Sequence, residues 1–477
     1  MVKVWEPKAA QGDTGPFLVR HHYKVIVLFT ALSALVAFGL QLEGLKPEAQ
    51  RVLGIFVLCI SFWVTGVIPL QITSMLAIIL LPLLHIMPSA EAFALFGNQA
   101  VFFILGAFIL SAAMIDSGLS TRLACKALKL FSGSPARLRD AVLFVGAFAS
   151  FWMSEHAVAA MLFPIVLNIV RALGLKPMGS RFGQSFFFAL AWGCIIGGIA
   201  TYLGGARNPL AAGILFEKTG IEISFLRLLS ASFPIVIITI IAAWALLRFM
   251  FPEEGTHDGA LIRSQLTKEL DQIGPLSQRE IRVGIIALLT VVAWIFGFKS
   301  IGLANIALLS TAALFIWRVV RWAEIESNVN WGIILMYGGA IALGSALHST
   351  GASTWLIENT IGRYELTPLQ LIIILGVVSL TLTEFISNAA VVSVMMPVGL
   401  GLADAMGLSL EAVTLAIALP SGLSYVLPMG TPATAIAYSA GFIPQRRFIL
   451  YGIVMNFISL AAFVLVVWLY WPMLGLK

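Results

Sequence analysis

Apolar stretches long enough to cross a lipid bilayer recur along almost the whole chain from Lys24 onward, and no other property restricts its fold so severely. Inside lipid a backbone cannot turn to water for hydrogen bonds, so a spanning segment must be a helix or part of a closed barrel. Runs of roughly 20 apolar residues are helices. Such stretches fall near 24–41, 52–70, 73–87, 99–116, 186–216, 223–250, 281–297, 301–319, 331–349, 411–440 and 447–475. Composition agrees: 60% of the 477 residues are hydrophobic and 11% charged, where a soluble chain carries about a quarter charged. The expected class is an all-α polytopic membrane protein with eleven transmembrane helices. A net charge of +6 does not point to nucleic acid, because most Lys and Arg fall in connections on one side of the bilayer. That asymmetry predicts a cytoplasmic N-terminus and an outside C-terminus; the expected location is a bacterial inner membrane. Val25–Leu40 has no small-residue cleavage site and is read as a retained first helix.

Two blocks, 137–171 and 367–403, are too long for one span, and each carries a polar, serine-containing tripeptide at its centre. They are expected to be re-entrant hairpins whose tips stop inside the membrane, where protein or a water-filled cavity surrounds irregular backbone. The shift that lays Ser154 on Ser387 also lays Pro164 on Pro397, Ser150 on Thr383, Gly106 on Gly339 and Gly118 on Gly351. One offset held over so long a stretch signals a duplication. Five crossings between the tips make the copies inverted, the architecture of secondary transporters whose sites lie where the repeats meet. The expected organisation is an N-terminal segment 1–23, a first helix and loop 24–51, repeat 1 at 52–250, a cytoplasmic linker 251–280 and repeat 2 at 281–477.

The tips read Ser150-Phe-Trp-Met-Ser154-Glu155-His156 and Thr383-Glu384-Phe-Ile-Ser387-Asn388-Ala389. Downstream each repeat has a Gly- and Pro-containing break, Tyr202-Leu-Gly-Gly-Ala-Arg207-Asn208-Pro209 and Pro428-Met-Gly430-Thr431-Pro432-Ala-Thr434. Exposed carbonyl ends of broken helices favour Na⁺ and amide ends favour anions. Cys59, Cys125 and Cys194 show no disulfide or metal spacing, and no phosphate loop or zinc motif occurs.

Through Thr383-Glu384-Phe385-Ile386-Ser387-Asn388 the chain resembles the divalent anion/sodium symporters, the DASS or INDY-like transporters, over nearly its whole length. The resemblance implies a homodimer with scaffold and transport domains working as an elevator, a sodium ion at each hairpin, and a substrate whose carboxylates lie between the tips. Carried onto this chain, the substrate residues are Ser154, Glu155, His156, Arg207, Ser387, Asn388, Ala389, Gly430, Thr431 and Pro432. A repeat 2 sodium site would use Thr383, Asn388 and Gly430, and a repeat 1 site Ser150, Ser154 and Glu155. The family's Ser-Asn-Thr is Ser154-Glu155-His156 in one repeat and Ser387-Asn388-Ala389 in the other, so both threonines are missing, and Arg207 stands in the first break.

Charges inside a membrane are costly, which gives Glu155, His156 and Arg207 three readings. Arg207, paired with Glu155, supplies the positive charge that Na⁺ supplies elsewhere; the pair only fastens tip to break; or Glu155 is itself a sodium ligand. The first reading leads to a secondary transporter of small divalent anions, with a dicarboxylate favoured, working by exchange or without sodium. The alternative is a Na⁺-coupled dicarboxylate, sulfate or sulfonate symporter, with Na⁺ as the one inorganic partner. A membrane-embedded enzyme using Glu155 and His156 would leave the matched second hairpin unexplained, so the chain is expected not to be an enzyme.

Overall fold

Apolar side chains running without polar interruption decide the local structure, and all regular structure among the described residues is helical. A computed structural model describes residues 22–40, 42–253, 259–359 and 366–476. The expected N-terminal segment therefore lies outside the described residues up to position 21, as do 254–258 of the linker. The first half runs through helices His22–Ala34, Pro47–Thr65, Leu70–Leu83, Ser89–Ala94, Gln99–Asp116, Leu119–Leu130, Pro135–Ala149, Glu155–Ala172, Arg181–Gly198, Arg207–Thr219 and Phe225–Met250. After Gly259–Ile273 the second half runs through Gln278–Phe296, Phe298–Ile301, Leu303–Ile316, Trp322–Asn328, Trp331–Ser349, Ala352–Asn359, Pro368–Leu382, Asn388–Met406, Leu410–Ala418, Pro432–Ser439 and Gln445–Leu469.

Seven helices among the described residues are long and apolar enough to cross a membrane, against the eleven expected. Six of the eleven expected stretches are not among the seven: 24–41, 73–87, 186–216, 281–297, 301–319 and 411–440. The stretches 186–216 and 411–440 are each two helices, Arg181–Gly198 with Arg207–Thr219 and Leu410–Ala418 with Pro432–Ser439, because the Gly- and Pro-containing breaks end the regular backbone. Tyr23–Gly39, Leu70–Leu83 and Leu303–Ile316 are apolar but short, and Gln278–Phe296 falls outside the seven. The second limbs of both hairpin blocks, Glu155–Ala172 and Asn388–Met406, are themselves among the seven, since length and composition do not record how deep a limb ends. Five helices had no counterpart in the apolar stretches: Ser89–Ala94, Leu119–Leu130, Gly259–Ile273, Trp322–Asn328 and Ala352–Asn359. They are short or amphipathic, which a search for continuous apolar runs passes over.

Helix bounds recur at the offset seen in the sequence. That offset carries Leu70–Leu83 onto Leu303–Ile316 at both ends, and Pro135–Ala149 onto Pro368–Leu382. Packing is reciprocal. Leu70–Leu83 lies against Trp331–Ser349, and Leu303–Ile316 lies against Gln99–Asp116. At the two crossings Gly339 meets the backbone of Ser74, and Gly106 meets that of Ala307. Gly118 and Gly351 turn the chain in the left-handed region, at φ 84° and 80°.

Both hairpin blocks begin the same way. Ser134 and Thr367 cap the first limbs, accepting from Arg137 and Gln370, and Pro135 and Pro368 follow at the first helical position. Ser154 and Ser387 cap the second limbs, accepting the amides of Ala157 and Ala390. The base of the first hairpin is tied by charge: Asp140 accepts from Arg139, Trp244 and Arg248, while Arg139 donates to the carbonyls of Leu247 and Phe251.

Candidate functional site

The two tips meet. Glu155, the first residue of its limb, is fully buried and donates its amide to the Gly204 carbonyl at 2.9 Å, which pins tip 1 to the break at 199–206. Its Oε2 lies 3.3 Å from Nη1 of Arg207, itself 1% exposed at the start of the helix after that break. Its Oε1 lies 3.4 Å from Nδ2 of Asn388, its own counterpart under the offset seen in the sequence, so the carboxylate bridges the two tips. His156 sits 3.7 Å away through Nδ1. Glycines wall the pair: a Cβ at Gly198 would strike Glu155, and one at Gly205 or Gly422 would strike the guanidinium. Nε and Nη2 of Arg207 are buried without a hydrogen-bond partner among the described residues.

Tip 2 is a cluster of oxygens. Thr383 Oγ1 lies 2.8 Å from Asn388 Oδ1 and 2.6 Å from the Ser421 carbonyl. Asn388 turns its oxygen toward Thr383 because its Nδ2 faces Glu155. The hydroxyl has one proton for two acceptors, so three oxygens converge with a surplus of lone pairs. Such a donor set fits a hard cation.

Other residues named from the sequence fall elsewhere. Thr431 caps the helix Pro432–Ser439 in a reciprocal bond with Thr434, and Gly430 stands beside Ser424 and Glu384 rather than at Thr383. The carbonyl that reaches Thr383 belongs to Ser421, which sequence reasoning missed because the helix Leu410–Ala418 ends earlier than its apolar run. Ser150 is buried in the first turn, where its carbonyl packs on Gly204.

A cavity of about 370 Å³ opens beside tip 1. Ser154, His156, Gly205 and Ala206 line it, opposite Ser111, Asp116 and Asn330. Arg207, Ser387, Asn388, Ala389, Gly430, Thr431 and Pro432 are not on its wall. Arg207 is instead turned behind the tip, against Gly422. Asp116 and Asn330 were also missed, although each is a polar residue at the edge of an apolar stretch.

The family described as "Sodium:sulfate symporter transmembrane region" matches residues 20–477. This chain belongs to that family, the divalent anion/sodium symporters. It is an integral membrane transporter and not an enzyme. Among its relatives are the sodium-dependent dicarboxylate transporters SdcS of Staphylococcus saprophyticus, 28% identical over 95% of this chain and 93% of the relative, and of Staphylococcus aureus strain USA300, 28% identical over 91% and 89%. Two solved structures share the fold: Neisseria gonorrhoeae MtrF, described as illuminating a class of antimetabolite efflux pumps, with TM-score 0.58 and 14% identity over 96% of both chains, and the Alcanivorax borkumensis YdaH transporter, with TM-score 0.55 and 13% identity over 96% of this chain and 99% of that one.

Proposed function

We propose that the chain carries a small dicarboxylate across the membrane together with Na⁺, the ion being held by Thr383, Asn388 and the Ser421 carbonyl. The observation that carries this reading is the three-oxygen cluster at tip 2, which has more acceptors than protons and in which Thr383 and Ser421 are buried. The sodium-dependent relatives support it over the exchange or sodium-independent transport expected from the sequence. The dianion would sit in the cavity beside tip 1, meeting the Ser154 hydroxyl, His156 and the backbone at Gly205 and Ala206. In repeat 1 the guanidinium of Arg207 takes the place of a second ion, with its charge neutralised by Glu155.

Two inverted repeats with re-entrant tips, an elevator-like motion of a transport domain against a scaffold, a homodimer, and a cytoplasmic N-terminus with an outside C-terminus complete the reading. The matched helix bounds and the reciprocal glycine crossings support the repeats. One specific observation favours a second reading: a guanidinium locked in the tip cannot leave with the substrate, so repeat 1 offers no ion whose gradient could drive net uptake. Succinate uptake into proteoliposomes decides between them. Symport predicts uptake driven by an inward Na⁺ gradient, with a Na⁺ Hill coefficient near one. Uptake that is indifferent to Na⁺ replacement by choline, yet requires internal succinate, would establish exchange instead.

A further inference from the structure

Glu384 stands in the turn between the limbs of the second hairpin and is buried. Its carboxylate collects donors from two directions. Oε1 accepts from the amides of Tyr425 at 2.8 Å and Val426 at 3.1 Å and from Nδ2 of Asn456 at 2.8 Å. Oε2 accepts from the Ser424 hydroxyl at 3.0 Å and from the amides of Val426 at 3.1 Å and Leu427 at 3.0 Å. Three consecutive backbone amides therefore converge on one protein anion. They belong to the non-helical chain between the short turn Pro420–Gly422 and the helix that starts at Pro432, where no helical carbonyl could accept from them.

The first break is held by the opposite device. The counterpart of Glu384 under the repeat offset is Phe151, and there the Asn208 amide donates to the carbonyls of Ile199 and Thr201, while the Thr201 hydroxyl donates to the Phe151 carbonyl. Carbonyls are gathered in repeat 1 and amides in repeat 2. The amides of 425–427, which a broken helix would otherwise offer to an anionic substrate, are already taken by a side chain of the same repeat.

We propose that Glu384 is a positioning residue for the cation site: by clamping residues 424–427 it holds the preceding turn so that the Ser421 carbonyl meets Thr383 and Asn388, and so it sets the affinity for Na⁺. Thr383 is its neighbour in the chain, so the same side chain fixes both halves of the oxygen cluster, the hairpin half and the break half. This rests on the reading of that cluster as the ion site. Glu384 touches no substrate, and its effect passes through the geometry of the oxygens.

The test measures Na⁺ activation of succinate uptake by the full-length protein in proteoliposomes, for wild type, Glu384→Gln, Glu384→Asp and Thr383→Ala. The glutamine loses one acceptor and turns an NH₂ group toward the amides. Its half-saturating Na⁺ concentration should rise about tenfold or more, with the maximal rate at saturating Na⁺ and the KM for succinate kept within about threefold of wild type. The aspartate, which keeps the charge but reaches fewer donors, should lie between. If Glu384→Gln does not fold, Asn456→Ala and Ser424→Ala, which each remove one donor, should raise half-saturation by about threefold. An unchanged Na⁺ curve, or a lost maximal rate at unchanged half-saturation, overturns the proposal. Thr383→Ala reports separately: if it leaves Na⁺ activation as in wild type, the ion-site reading falls, whereas a Thr383 effect without a Glu384 effect refutes only the clamp.

Discussion

Replacing Arg207 by glutamine removes the charge nearest to Glu155 and leaves a fully buried carboxylate with only Asn388 Nδ2 at 3.4 Å and His156 Nδ1 at 3.7 Å beside it. Both members of the pair are at most 1% exposed, so solvent cannot screen or hydrate what remains. Breaking a buried pair by removing one partner costs about 3–5 kcal/mol, because the other charge stays uncompensated, which is a factor of roughly 10² to 10⁴ in the folding equilibrium. Glu155→Gln should cost a similar amount by stranding the guanidinium. The double variant, with no charge left, should cost less than the sum of the single changes by about 2 kcal/mol or more, since neutral replacements of buried pairs are often tolerated. Reversible unfolding in mixed micelles, followed by tryptophan fluorescence, measures all four corners of this cycle. If the two single costs simply add, within about 0.5 kcal/mol, the residues do not act as a pair and the substitution of an ion by a guanidinium fails with it.

Gly106→Val and Gly339→Val place a side chain against the backbone of Ala307 and Ser74, and both should destabilise by roughly 1–3 kcal/mol in the same unfolding measurement; tolerance at either position would refute close contact at that crossing. At the start of helix Gln278–Phe296, a hydrogen bond and charge from Arg122 hold the Glu280 carboxyl at about 2, below its ordinary 4.5. Its contribution to stability is therefore complete above about pH 4.5 and is lost as the pH falls toward 2. Glu280→Gln should be less stable than wild type at pH 6, with the gap closing between pH 4.5 and 2; a gap independent of pH refutes the pair. On helix Gly259–Ile273, Leu266 is fully buried and Glu269 accepts from Asn168 of helix Glu155–Ala172. Leu266→Ala should loosen helix Gly259–Ile273 and speed its cleavage by trypsin, and an unchanged digestion rate would show that the helix does not depend on that anchor.

How much of the site was legible depended on the kind of signal each residue carries. Glu155 and Arg207 stood out as charges in apolar sequence, and the structure does bring them together, because both lie where a helix is broken and the breaks meet. Thr383 and Asn388 were readable from the tip motif and do converge. Ser421 was not, since a backbone carbonyl exists at every position and only the place where a helix unwinds makes one available. Gly430, Thr431 and Pro432 were assigned to the site through a motif, yet Thr431 and Pro432 cap and begin a short helix and Gly430 stands beside Glu384. For Ser154 and Ser387 the sequence left capping and ligand binding both open, because a hydroxyl that accepts from its own chain and one that faces a ligand look alike in sequence; the structure shows both as caps.

Hydropathy alone was enough to settle that this chain is helical and lives in a membrane, because lipid offers unpaired backbone no alternative. The offset that pairs Ser154 with Ser387 was likewise written in the order of residues, and the helix bounds obey it. Which face Arg207 presents was decided only when two distant segments packed: Gly422, in the other half of the chain, leaves the space that draws the guanidinium behind the tip and off the cavity wall. Long-range packing chooses among the rotamers a sequence permits, and in this protein that choice separates the charge that binds the fold from the groups left to meet a substrate.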